Sequence, residues 1–175
     1  CIIDFATSEV VAEYCSNKIA PDLFAYEIRN GVNRYGGCIV AVERNNHGHT
    51  TIAILNRLGV RQLQTEREED VNMKPSTKYG WETNGATKPL MLFDLKTAIE
   101  EMWIKIYSSA TILELRTYDK SDISVYRFDE KQTKHWDRVI GLAIAWQLRK
   151  VIPSKREAEV IVTEVAHSDD QYAVF

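Results

Sequence analysis

Two carboxylates in this chain stand where the surrounding sequence would hold an ionised side chain rigidly. Glu43 ends the apolar run Cys38, Ile39, Val40, Ala41, Val42. A run of that kind predicts a strand buried on both faces, so the residue closing it is fixed in place. Asp137 precedes Val139, Ile140, Leu142, Ala143 and Ile144, a predicted apolar helix whose inner face must pack on a sheet. Carboxylates converging from different elements are the ligands that hard divalent cations require. Two such cations roughly 3.5 to 4 Å apart can activate a water on one side of a phosphodiester and stabilise the leaving oxygen on the other. Taken singly, each residue has a plainer reading. Glu43 alone is a strand-end carboxylate in water, and Asp137 alone is a helix N-terminal Asp favoured by the macrodipole.

The residues near them sort in the same two ways. Asn45, Asn46, His47 and Gly48 follow Glu43 directly and shape its loop: glycine permits a tight backbone, and the amides can satisfy backbone groups. His47 is a candidate DNA contact, and so is Lys88 at a predicted helix start, where anions are already favoured. A solvated surface lysine is an equal reading of Lys88. Glu114 and Arg116 read as a structural pair and are not assigned to catalysis. Cys1, Cys15 and Cys38 form no CxxC spacing, which argues for plain thiols rather than a disulfide framework or a zinc site. No GxxxxGK[ST] phosphate loop occurs, so this chain is not itself an ATPase.

Several elements must position these groups. Cys1 to Asp4 and Glu9 to Tyr14 read as two strands joined by a turn at Ala6, Thr7 and Ser8. Pro21 and Asp22 open a helix stopped by Gly36 and Gly37. The loop after Glu43 runs into a helix from Thr51 to Leu58, giving a strand, polar loop and helix in series, and ligands bind beyond the carboxyl ends of strands in open α/β sheets. Residues 65–78, charged and containing a proline, read as an exposed loop or edge region with little core. Thr87, Lys88 and Pro89 open a helix with Leu92, Leu95, Ile99 and Met102 on one side. Residues 112–118 and 124–128 frame an expected β-hairpin, and residues 159–165 an optional strand. The division expected is one domain over 1–152 and a C-terminal extension or connector over 153–175.

Composition bounds the function. A chain of 175 residues with 45% hydrophobic positions can bury one real core. A net charge of −3 and a pI near 5.9 argue against coating nucleic acid by bulk electrostatics, so any DNA contact must be local. That balance suits a nuclease whose bound metals supply the positive charge. Lacking an apolar run of roughly 18 to 20 residues or a signal-peptide layout, the chain reads as soluble and intracellular, with no membrane partner. It begins at Cys1, inside an apolar run, and reads as an excised piece.

Val42-Glu43-Arg44-Asn45-Asn46-His47-Gly48-His49 before a helix, and His135-Trp136-Asp137-Arg138-Val139 running into Leu142-Ala143-Ile144-Ala145, resemble the second and third carboxylate motifs of phage large terminase nuclease domains. Gly80-Trp81-Glu82-Thr83-Asn84 with Thr87-Lys88-Pro89-Leu90-Met91-Leu92, and Glu114-Leu115-Arg116-Thr117-Tyr118, resemble the same family in the same order, so the resemblance spans about residues 1–150. It implies an RNase H-like α/β fold, a mixed central sheet flanked by helices, and two-metal cutting of concatemeric viral DNA. Glu43 and Asp137 would each ligate Mg²⁺ or Mn²⁺. The implied partners are double-stranded viral DNA and, in the full protein, an N-terminal ATPase domain, a portal protein and a small terminase subunit. The implied place is the host cytoplasm, at the procapsid portal.

The family's first carboxylate is the departure. Only Asp4 precedes the first helix here, and its surroundings resemble the second strand of the fold, so Asp4 is expected in a hairpin. The first strand and its Asp would then lie upstream of Cys1. Two rivals remain: another RNase H-like nuclease, such as a resolvase or transposase, marked by preference for branched DNA; and a non-catalytic DNA-clamping or portal-docking module, marked by metal-independent binding.

Overall fold

The computed structural model of this chain describes residues 1–45, 47–69, 75–118 and 136–152. Its strands are short and form two separate antiparallel pairs rather than one mixed central sheet. β1 (Ile2–Asp4) and β2 (Glu9–Ala12) pair antiparallel. Asp4 Oδ1 accepts the Ala6 amide at 2.8 Å, so Asp4 caps the intervening turn, the hairpin position expected of it. The far edge of β2 bonds to a third stretch: Val10 N donates to Lys105 O at 2.9 Å, and Lys105 N to Ser8 O at 2.8 Å.

Helix α1 (Pro21–Arg34) opens with Pro at its first turn and Asp22 beside it, both suited to a helix N-terminus. Gly36 and Gly37 follow at positive φ, a backbone other residues rarely adopt. Helix α2 (Gly48–Arg57) packs on α1. Ala25, Leu55 and Val60 are buried between them, with Val40 and Val42 packed alongside. The second layer is α3 (Thr87–Glu100) against α5 (Asp137–Gln147), with α4 (Ser109–Thr117) also on α5. Met91, Leu92, Leu95, Val139 and Leu142 form its core, and Ile3, Phe5 and Ala41 pack onto it. Residues 40–42 thus alternate between the layers as extended chain does, although where a strand was expected only isolated bridges form, at Val40 and Glu43.

Several expectations need correction. Residues 38–42 are covered from both sides, yet each is only half-buried, because one backbone edge opens onto a cleft. Residues 112–118 are not the first arm of a hairpin: Ser108 accepts the Thr111 amide at 3.2 Å and starts α4, and a hydroxyl cap of this kind selects helix over strand. The second arm, residues 124–128, lies outside the described residues, as do residues 153–175 with their optional strand. Residues 65–78, expected as an exposed loop or edge region, hold a strand pair rather than a loop: β3 (Gln64–Glu69) and β4 (Pro75–Tyr79), antiparallel, with Gln64 opposite Tyr79 and Glu69 opposite Pro75. Backbone pairing overrode the low strand propensity of their charged residues. Met102 leaves the apolar side of α3, since it lies past the helix end at φ 57° and is 85% exposed. Helix α2 begins at Gly48 rather than Thr51.

The helical layer is closed at one end by charge. Arg149 Nη2 and Nη1 donate to Asp94 Oδ1 and Oδ2 at 2.6 and 2.8 Å, Gln147 Nε2 donates at 2.9 Å, and Lys150 Nζ lies 3.2 Å away. The Arg149 guanidinium is the main cause holding the Asp94 carboxyl down at about 2. A depressed carboxyl contributes stability that is present above its unfolded value near 4 and lost as pH falls through its folded value. We therefore expect the difference in unfolding free energy between wild type and Asp94→Asn to be about 1 to 2 kcal/mol at pH 6 and to shrink as pH drops from 4 towards 2, allowing for solvent screening of this part-exposed group. Urea titrations across that range would reveal a pH-independent difference if the pairing does not matter.

Candidate active site

Backbone bonding along residues 40–44 is one-sided. Val40 N donates to Arg61 O at 3.0 Å and Val40 O accepts Leu63 N at 2.8 Å; Val42 O accepts Trp81 N at 2.7 Å, and Arg44 N donates to Trp81 O at 2.8 Å. Alternate residues of a strand present their amides and carbonyls to opposite edges. Residues 40, 42 and 44 therefore use one edge, and Ile39 and Ala41 make no backbone ladder bond on the other among the described residues. Among the described residues β1 is likewise bonded on its β2 side alone. Between these two edges lies an open cleft of about 1650 Å³, lined by Ile3, Phe5, Ile39, Ala41, Gly141 and Ile144 among others. That exceeds the roughly 300 to 1,000 Å³ of small-molecule pockets, so the cleft is large enough for a segment of polymer.

Glu43 lines this cleft where the extended segment ends, and the loop after it is tied down from a second direction. Asn45 Nδ2 donates to Thr83 O at 3.0 Å and reaches Glu43 Oε1 at 3.4 Å. Arg44 forms an ion pair with Glu82. The facing turn is itself locked: Asn84 Oδ1 accepts the Ala86 and Thr87 amides at 2.9 and 3.0 Å, and Thr87 Oγ1 donates to Glu82 O at 2.7 Å. Asn45 thus bridges Glu43 to the facing turn, and a side chain at Gly48 would run into the Glu43 carbonyl. Asn46 lies outside the described residues. His47 and Lys88 both line the cleft.

Asp137 lines the cleft from the first turn of α5 and is exposed. Behind it is a polar cluster. Glu114 Oε1 accepts the Val139 amide at 2.9 Å, and Arg138 pairs with Glu13 and stands 3.9 Å from Glu114 Oε2. Burial, assisted by the negative charge of Asp137, pushes the Glu114 carboxyl up, against the two backbone amides that hold it down. Glu114 therefore finds its ionic partner in Arg138 rather than in Arg116. Glu13 was not singled out by sequence reasoning: it is one of many surface-like glutamates, and only the fold brings it to Arg138.

All the sequence-predicted site residues that are described, namely Glu43, Asn45, His47, Gly48, Lys88 and Asp137, line one cleft. The two carboxylates are hard oxygen donors, correct in kind for Mg²⁺ or Mn²⁺. They fall short in number: among the described residues no three His, Cys, Asp or Glu side chains are grouped to hold a metal ion. Among those residues no helix is long and apolar enough to cross a membrane. No family model, curated protein or solved structure matches this chain.

Proposed function

We propose that this chain belongs to a divalent-metal-dependent DNA endonuclease of the phage large terminase type, with an RNase H-like sheet completed by one further strand. The observation that supports this best is the cleft itself. Two partial ladders, residue 105 with β2 and β1 on one side and residues 38–44 with 61–63 and 81 on the other, present edges to the same gap that no other described residue pairs with. One strand inserted there would join them into a mixed sheet between two helical layers, and the carboxylates Glu43 and Asp137 would stand along its course.

In this reading Glu43 and Asp137, with a third carboxylate on the inserted strand, would hold two Mg²⁺ or Mn²⁺ ions. Such ions supply an activated water and charge stabilisation at the leaving oxygen. The contribution of the chain is rigidity and placement. The ladder to Trp81 and the Asn45 bridge to Thr83 hold the Glu43 loop, α5 presents Asp137, and Lys88 on the cleft wall offers a cation to a phosphate. The substrate in this reading is concatemeric double-stranded viral DNA, cut at the procapsid portal in the host cytoplasm beside an ATPase domain, a portal protein and a small terminase subunit.

The test is plasmid nicking and linearisation with Mn²⁺, Mg²⁺ or EDTA, using the 175-residue chain beside a form extended upstream by one strand. We expect EDTA-sensitive cutting that is strong in the extended form and weak in the shorter one. Equal cutting by both would assign the third carboxylate to Asp4. DNA binding without cutting, indifferent to metal, would replace the nuclease with a clamping or docking module.

A further inference from the structure

We propose that Glu114 is a positioning residue for Asp137: from α4 it fixes the first turn of α5, and so sets where the Asp137 carboxylate stands in the cleft. The inference rests on the reading of Asp137 as a metal ligand. The first amides of a helix have no acceptor within it, and the residue preceding α5, Trp136, offers no side-chain cap. The acceptor comes instead from another helix, as Glu114 Oε1 takes the Val139 amide at 2.9 Å. The same end of α5 is gripped once more by the ion pair of Arg138 with Glu13, whose carboxylate also accepts the Thr111 hydroxyl of α4. β2's end, α4 and α5 are thereby joined one residue from Asp137.

Placement separates Glu114 from the ligands themselves. Asp137 and Arg138 line the cleft, whereas Glu114 is not among the lining residues and its side chain is only 15% exposed. It acts on the backbone two residues beyond Asp137 from behind the helix. Outer groups that orient a metal ligand typically govern about 10- to 100-fold in metal affinity.

Two substitutions divide reach from charge. Glu114→Gln keeps an acceptor oxygen at the same distance and loses the charge; Glu114→Asp keeps the charge and loses the reach. In the full protein, Mn²⁺ titration by calorimetry should show Glu114→Asp weakened about 10- to 100-fold and Glu114→Gln close to wild type. The reverse order would make Glu114 an electrostatic or direct ligand and overturn the positioning role. Wild-type affinity in both variants would overturn it as well, and the thermal midpoints of both variants establish that each remains folded. Asp137→Ala, run alongside, keeps the two claims apart. Unchanged Mn²⁺ affinity in that variant would remove Asp137 as a ligand and Glu114 with it. Loss there, with Glu114→Asp intact, would remove Glu114 alone.

Discussion

In the nuclease proposed here, Glu43→Ala and Asp137→Ala should each lower metal-dependent DNA cutting by about a thousandfold. A metal clamp on a phosphodiester is worth several kcal/mol of transition-state stabilisation, and each 1.36 kcal/mol is tenfold in rate, so losing about 4 kcal/mol gives that factor. Residues that act as a unit are not additive, so the double variant should be little slower than either single one. Stability should barely move. Asp137 is exposed, and among the described residues the one side-chain hydrogen bond of Glu43 is the long 3.4 Å contact from Asn45. Substitutions in such settings usually change stability within about 0.5 kcal/mol. Single-turnover linearisation at saturating Mn²⁺, read beside thermal midpoints, separates the two effects. Residual cutting within a few-fold of wild type in either variant would remove that carboxylate from the chemistry.

Where the sequence was informative, a local rule and the tertiary packing agreed. The hairpin of β1 and β2, α1 with its proline start and glycine stop, and α3 and α5 with their apolar faces all carry patterns that need no distant partner to be recognised. Residues 112–118 failed because Ile112, Leu113 and Leu115 suit a strand or a short helix equally, and the Ser108 cap decides between them. The β3 and β4 pairing was hidden because its residues are mostly charged or polar and carry no alternating apolar pattern, so periodicity had nothing to detect.

The site divides along the same line. Glu43 and Asp137 stand out in the sequence because each sits at the end of an apolar element, and both line one cleft. The supports behind them were not legible. Asn45 reaching Thr83, Arg44 reaching Glu82 and Glu114 reaching Val139 span 25 to 38 residues of sequence. Each joins residue types so common on surfaces that spacing alone cannot single them out. The residues that would carry charge are therefore readable from the sequence, whereas those that hold them still emerge only from the fold.

Gly48 joins the two kinds of residue, and Gly48→Ala is expected to destabilise the protein by about 1 to 3 kcal/mol, the usual cost of forcing a methyl group into filled space. An added Cβ there would stand 1.8 Å from the Glu43 carbonyl oxygen and 2.9 Å from its carbon, and backbone cannot swing aside as a flexible side chain can. Relief requires either the Glu43 loop or the first turn of α2 to move. The first turn of α2 is held by Thr51 Oγ1 donating to Pro21 O at 2.9 Å, and further along Leu55 is fully buried against α1. Both partners are tethered, the loop through Val42, Arg44 and Asn45, so the clash is shared between them and Glu43 should shift by part of it; a displacement of about 1 Å can lower a rate roughly a hundredfold. The sign of the stability change is the decisive readout. Without the close approach, Gly→Ala at a helical position stabilises by about 0.5 to 1 kcal/mol. Gly31→Ala in α1 supplies that comparison, since its Cβ would meet only Ile2 Cδ1 at 3.4 Å. A stabilised Gly48→Ala that cuts DNA normally would mean the Glu43 carbonyl does not rest against α2, and with it would go the account of how the loop is fixed.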